Sequence, residues 1–255
     1  MKKLLLFDYG GVIQNSICSE YTWKDAVNEM IAVCNPENAN ILKLYFDESY
    51  PETIHGKESD ICLQNYLKKS GSSISIEKFQ EHFSVCIRKI PVFQDVIDYM
   101  ISLAENKKCD VGIFSNQFAL NKVILEETIP LHKLQYLFLS AWYGYCKPDR
   151  KFYELVEKVS ERKPEDILFI DDHEPNLSYA KVRGWNTLLA SGRDTDLIIK
   201  ECSEFLLSEV NNKRDSNTQE VDGIPQVRCG ESPLRKNDAA YGVDPYEIEV
   251  AMKIW

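Results

Sequence analysis

LLLFDYGGVIQN, residues 4–15, decides how the rest of the chain is read. Four apolar residues run into Asp8, and Tyr9, Gly10 and Gly11 follow before the chain turns apolar again. A short apolar run bounded by turn residues fits a strand buried on both faces, as in a parallel sheet. Two readings of its end stay open. Asp8 can simply open a tight turn, because Asp favours strand-to-helix turns. Or it is a nucleophile held at the carboxyl end of a parallel strand, with bare backbone beside it for an ion or a phosphate.

Two more apolar runs end the same way: VGIFSN (111–116) and ILFIDD (167–172). Helical patterns flank them. Residues 92–105 put Val92, Val96, Met100 and Leu103 on one face, and residues 151–162 do so with Phe152, Leu155, Val156 and Val159. NLSYAKVRGW reads as a helix ending near Gly184, and NTLLA as a further strand. Strands alternating with helices predict an α/β fold with a doubly wound, Rossmann-like parallel sheet. Residues 14–90 break the alternation with helical segments at about 20–33, 37–49, 58–69 and 76–88, the third opening on Ser59-Asp60 as capping residues. The expected organisation is a core over 1–14 and 91–200, an inserted helical cap over 15–90 that covers the strand ends, and a weakly ordered extension over 207–255.

The chain has 255 residues, of which 44% are hydrophobic, enough for a sizeable core. Its formal charge of -10 disfavours nucleic acid, whose phosphates reward basic surfaces. Eight cysteines are scattered with no C-x-x-C and no zinc spacing, as expected of reduced, buried thiols. MKKLLLF imitates a secretory signal, but Asp8 and the glycines cut it short, and no apolar run is long enough for a bilayer. The expectation is a cytoplasmic protein with no membrane partner. Within YEIEVAMKIW (246–255), Ile248, Ala251, Met252 and Trp255 share one side of a helical turn, so the tail is a candidate to dock on a partner or on its own chain.

In a parallel α/β sheet, ligands bind at the carboxyl ends of the strands. There Asp8, Ser115-Asn116 and Asp171-Asp172 can converge, joined by Lys147 of YCKPDRKFY, fixed just before a helix-opening Pro. Chemistry on phosphate needs this set. A carboxylate can attack phosphorus, hard oxygen ligands can hold magnesium, and a lysine and a hydroxyl can steady the equatorial oxygens.

The order D-x-G-G-V, S-N, K-P-D, D-D-x-x-x-N resembles the haloacid dehalogenase-like (HAD) hydrolase superfamily, mostly magnesium-dependent phosphatases. The match spans about residues 3–200, the helical insertion included. The resemblance implies Asp8 as the nucleophile that forms an aspartyl-phosphate. It implies Ser115 as the phosphate-binding hydroxyl, Asn116 as a further amide contact, and Lys147 as the partner of both nucleophile and phosphate. Asp172 would ligate Mg2+ directly and the Gly10 carbonyl would be a backbone ligand. Asp171 would hold the ion through water or position Lys147. The substrate class implied is a small phosphorylated metabolite.

One departure matters. Most phosphatases of the superfamily carry a general-acid aspartate two residues after the nucleophile, and this chain has Gly10. A positioned acid contributes about 10²–10⁴-fold. Three consequences stay open: leaving groups that need little protonation, a proton from the cap, His173 or water, or a chain that binds phosphate and turns over poorly. A non-catalytic binder and a 2-haloacid dehalogenase are the competing functions. The second is disfavoured because Asp171 and Asp172 would repel each other without a cation. Gln117 reads equally as a substrate contact or a loop amide. His173 reads as a helix-start residue, and Tyr21, Trp23 and Tyr45 as core.

Overall fold

The structure is a computed structural model that describes residues 2–16, 19–47, 59–117 and 122–208. The expected 207–255 extension lies, beyond Ser208, outside the described residues.

Strand β1 (Leu4–Phe7) is the centre of the molecule, and all four of its residues are buried. It pairs in parallel with β2 (Asp110–Ser115) on one side and β4 (Ile167–Asp171) on the other. Strand β3 (Tyr136–Leu139) flanks β2 and β5 (Asn186–Leu189) flanks β4, giving the all-parallel order β3-β2-β1-β4-β5. Apolar residues on both faces of β1 follow from this position. Leu5 and Phe7 join one core with Val111, Ile113, Leu168 and Ile170, whereas Leu4 and Leu6 join the other with Phe114, Phe138, Ile167 and Phe169.

Helices cover both faces. Helix α5 (Gln94–Asn106) and α10 (Thr195–Leu207) pack on the first face, through Val96, Met100, Ile198 and Cys202. Helix α8 (Arg150–Ser160) and α9 (Glu174–Val182) pack on the second, through Phe152, Val156, Leu177 and Ala180. The doubly wound α/β expectation holds. Among the elements that carried no assignment from sequence are a strand and a helix in residues 136–143. YLFL runs straight into SAWY, a stretch whose periodicity does not separate strand from helix, and the chain splits it into β3 and the one-turn α7 (Ser140–Tyr143). Helix α10 reaches Leu207, beyond the expected core boundary at 200.

The inserted segment is helical: α1 (Trp23–Cys34), α2 (Ala39–Asp47), α3 (Ser59–Ser70) and α4 (Ile76–Arg88). A capping box between Thr22 and Asp25 starts α1, and Ser75 caps α4. These helices have their own core, in which Met30, Leu42, Tyr45, Leu63, Phe79 and Phe83 are buried. Trp23 packs edge-on against Phe46 and Phe83, so this aromatic and Tyr45 serve the core. The insertion is tethered where the chain leaves and returns: Asn15 N donates to Pro91 O and Phe93 N to Ile13 O, both at 2.8 Å. Helix α6 (Lys122–Thr128), which follows β2, sends Ile124 into the insertion's core. Among the described residues, no helix is long and apolar enough to cross a membrane, and Cys34, Cys86, Cys109 and Cys202 are free thiols.

The side chain of Leu5 is fully buried under β1. Leu5→Ala is expected to lower stability by about 2–5 kcal/mol, read as an earlier midpoint in guanidinium unfolding. An unchanged midpoint would contradict a close-packed central strand.

Candidate active site

The register of the sheet builds the site. Phe7 pairs with Ile113 and with Ile170, so the next residue of each strand emerges at the same level. Asp8 thereby stands beside Asp171, and Asp8 N donates to Ile170 O at 2.9 Å as the last rung between the two strands. Ser115 ends β2 one residue further on.

Lys147 enters from the loop before α8. Its side chain is 1% exposed, and its Nζ lies 2.6 Å from Asp171 Oδ2 and 3.0 Å from Asp8 Oδ1. The rings of Phe169 and Phe114 have their centroids 4.9 and 5.4 Å from the ammonium. Burial opposes the charge, but Asp171 and Asp8 outweigh it and hold the lysine above its ordinary pKa. The loop is anchored by Asn116. Its carboxamide donates to Lys147 O at 2.9 Å and accepts from Lys147 N at 2.7 Å. Asp149 then caps α8 by accepting from Lys151 N at 2.9 Å.

The carboxylates are differently held. Asp171 is completely buried, and its Oδ2 accepts from Lys147 and also from Asn176 Nδ2 at 2.9 Å. Its Oδ1 accepts from His173 N at 2.8 Å. Both oxygens are engaged within the protein. Asp8 Oδ1 accepts from Tyr9 N at 2.8 Å. Burial pushes the Asp8 carboxyl up to about 7, with Lys147 pulling it back and Asp171 adding to the rise. Asp172 is half-buried and also raised, first by burial and then by the charge of Asp171. Each of Asp8, Asp171 and Asp172 offers an oxygen within 4.8 Å of the others. Three carboxylates thus face one ammonium, a donor set of hard oxygens that fits a divalent cation.

The two glycines after Asp8 differ. Gly11 has φ +75°, and a methyl group there would lie 1.9 Å from Asp172 Oδ2. Only glycine lets the carboxylate of Asp172 seat against this turn. Gly10 is open: its added methyl would meet nothing nearer than Ser16 Oγ at 3.9 Å. Gly11 is thus required by the seating of Asp172, whereas Gly10 has room for a side chain among the surrounding protein atoms.

Sequence reading left Gln117 ambiguous and gave Ser140 and Asn176 no role. Gln117 Nε2 donates to Ser115 Oγ at 3.0 Å, and Ser140 Oγ accepts from Gln117 N at 2.9 Å, so the pair positions the hydroxyl. Asn176, in the first turn of α9, points its amide back to the end of β4, and its place in D-D-x-x-x-N was the available signal. His173 sits at the N-cap of α9 without a side-chain capping bond.

No family model matches the chain, and neither does any curated protein. Solved structures do. A HAD family enzyme from Bacteroides thetaiotaomicron, in complex with magnesium and inorganic phosphate, is 19% identical over 74% of this chain and 93% of its own, with a TM-score of 0.60. A predicted HAD-like family hydrolase from Porphyromonas gingivalis is 18% identical over 82% of this chain and 100% of its own, with a TM-score of 0.63. An L-2-haloacid dehalogenase from Xanthobacter autotrophicus, with chloropropionic acid covalently bound, is 15% identical over 73% of this chain and 76% of its own, with a TM-score of 0.51. The chain shares the fold of these proteins, here a Rossmann-like α/β core with an inserted helical segment.

Two outcomes are expected here. Gly11→Ala displaces Asp172 and should abolish any rise in melting temperature produced by magnesium; a wild-type rise would contradict the packing. The second concerns pH without metal. Asp8 has a raised folded pKa, so its contribution to stability is full below about 3.8 and lost as pH rises through about 7. A divalent cation takes the ionised form. The magnesium-induced rise in melting temperature should therefore be larger at pH 8 than at pH 5, and a pH-independent rise would contradict it.

Proposed function

We propose that the protein is a magnesium-dependent phosphomonoester hydrolase acting on a small phosphorylated metabolite through an aspartyl-phosphate on Asp8. The observation that carries this reading is the convergence of Asp8, Lys147, Asp171, Asp172 and Ser115 at the carboxyl ends of adjacent strands.

With Oδ1 held by Tyr9 N and Lys147, Asp8 keeps Oδ2 for in-line attack on phosphorus. Lys147 stays charged and offers its remaining N–H to the phosphoryl oxygens as they gain charge. Ser115 accepts from Gln117 and, standing beside Asp8, would turn its own proton to the phosphate. Asn116 positions the lysine loop through both of its amide atoms, and its second Nδ2 proton is the one that would reach the phosphate. Asp171 is the positioning carboxylate, because both of its oxygens are bonded within the protein. Asp8, Asp172 and the Gly10 carbonyl would hold Mg2+, which when bound screens the phosphate from the carboxylates and polarises it. Water then opens the acyl-phosphate, while the helical insertion acts as a cap that excludes bulk solvent.

Gly10 cannot protonate a leaving group. The preferred substrates are therefore phosphates with good leaving groups, namely aryl, acyl or anomeric sugar esters. The same glycine favours one alternative, a protein that binds phosphate without turning it over.

Steady hydrolysis of p-nitrophenyl phosphate with magnesium, lost on chelation and reduced at least about 10³-fold by Asp8→Asn, is the expected result. Binding of phosphate with no turnover of aryl, acyl or sugar phosphates would select the binder, and halide release surviving a chelator would select a dehalogenase. Because position 10 has space, Gly10→Asp should raise turnover of alkyl phosphates by about 10-fold or more and leave aryl phosphates less affected. An equal effect on both classes would contradict the missing-acid account.

A further inference from the structure

Away from the reaction centre, a cavity of about 320 Å³ lies at the hinge between the insertion and the core. Tyr9 and Gln14 line it from the loop after β1, Ile87 and Arg88 from the end of α4, and Glu127 and Thr128 from α6. Neither the carboxylates of the site nor Lys147 or Ser115 borders it. Its volume is at the lower end of the range of small-molecule pockets.

Two largely buried polar side chains line its wall. Tyr9 is 2% exposed, and its hydroxyl has no hydrogen-bond partner among the described residues. The neighbouring Thr128 hydroxyl donates to Ile124 O at 2.6 Å instead. Gln14 is 7% exposed. Its main chain donates to Tyr9 O and accepts from Gly11 N, and its side chain lines the cavity. A buried polar group left unpaired is destabilising, so the Tyr9 hydroxyl beside this cavity calls for an occupant.

The wall also says what kind of occupant. A carboxamide presents a donor and an acceptor side by side and pairs with a ring edge carrying the reverse pair. The Tyr9 hydroxyl adds a third polar point. The charged lining residues, Arg88 and Glu127, are already joined by two bonds of 2.6 and 2.9 Å with both side chains exposed at the rim. The interior therefore offers no free charge to compensate an ion.

We propose that the hinge cavity binds a small neutral ring with an amide edge, of the nicotinamide or pyrimidinone kind, through Gln14 and Tyr9. The occupant touches α4 of the insertion and α6 of the core together, so it bridges the two sides of the hinge. The site is independent of the phosphate chemistry proposed above.

The test is titration of full-length protein with nicotinamide, 2-pyridone and uracil, each read by calorimetry. At least one should bind saturably, with affinity reduced about tenfold or more in Gln14→Leu and in Tyr9→Phe and retained in Asp8→Asn. Tyr9→Phe keeps the ring and removes only the unpaired hydroxyl, so an unchanged or higher melting temperature certifies its fold. The proposal is overturned if none of the three compounds binds saturably, as for a cavity filled by water alone. It is equally overturned if binding survives both variants, or if Asp8→Asn abolishes it and so places the compound at the reaction centre.

Discussion

A lysine ammonium buried between two carboxylates is the constraint on which the structure turns. Lys147 is attached to neither β1 nor β4, yet its Nζ bridges Asp8 at the end of one and Asp171 at the end of the other. Removing an ammonium from water costs several kcal/mol, and only close opposite charges and good donor geometry offset that. Here the offset comes from two carboxylates and two aromatic faces. The arrangement needs β4 beside β1, which the strand order provides, and it needs the lysine loop held still, which Asn116 at the end of β2 provides. Three strand ends and one loop are thereby tied into a single polar cluster.

That cluster is not neutral. Three carboxylates surround one cation, and burial, with the charge of Asp171 adding to it, raises Asp8 and Asp172. A protein selected only for stability would have little reason to keep such a group of charges in a buried crevice. The surrounding residues divide the work. Asp171 is fully bonded and orients the lysine, Asp172 is half-buried and seated against Gly11, and Asp8 keeps one oxygen in reserve.

Much of this was legible in the sequence, for physical reasons. LLLF, VGIF and ILFI are apolar on both faces because their strands are covered on both faces, so the runs announce a parallel sheet and their last residues announce its ligand edge. Lys147, Asp8 and Asp172 could be picked out because no turn or capping rule accounts for all of them together. The edge strand β3 escaped because four aromatic and aliphatic residues followed by SAWY carry no distinguishing period. Gln117 and Ser140 escaped in their positioning roles because a positioning contact has no sequence signature. Its function lies in the partner across the loop, and that partner is fixed only by tertiary structure. The contrast between Gly10 and Gly11 likewise depends on what surrounds each Cα, not on residue type.

The central claim is that Asp8 becomes covalently bonded to phosphorus. Rapid acid quenching of the enzyme during turnover of acetyl phosphate with magnesium, followed by peptide mass analysis, addresses it directly. The account predicts one phosphoryl group on the peptide carrying Asp8, acid-stable and labile to hydroxylamine. Turnover with no such adduct, or with the phosphoryl group on another residue, would contradict it.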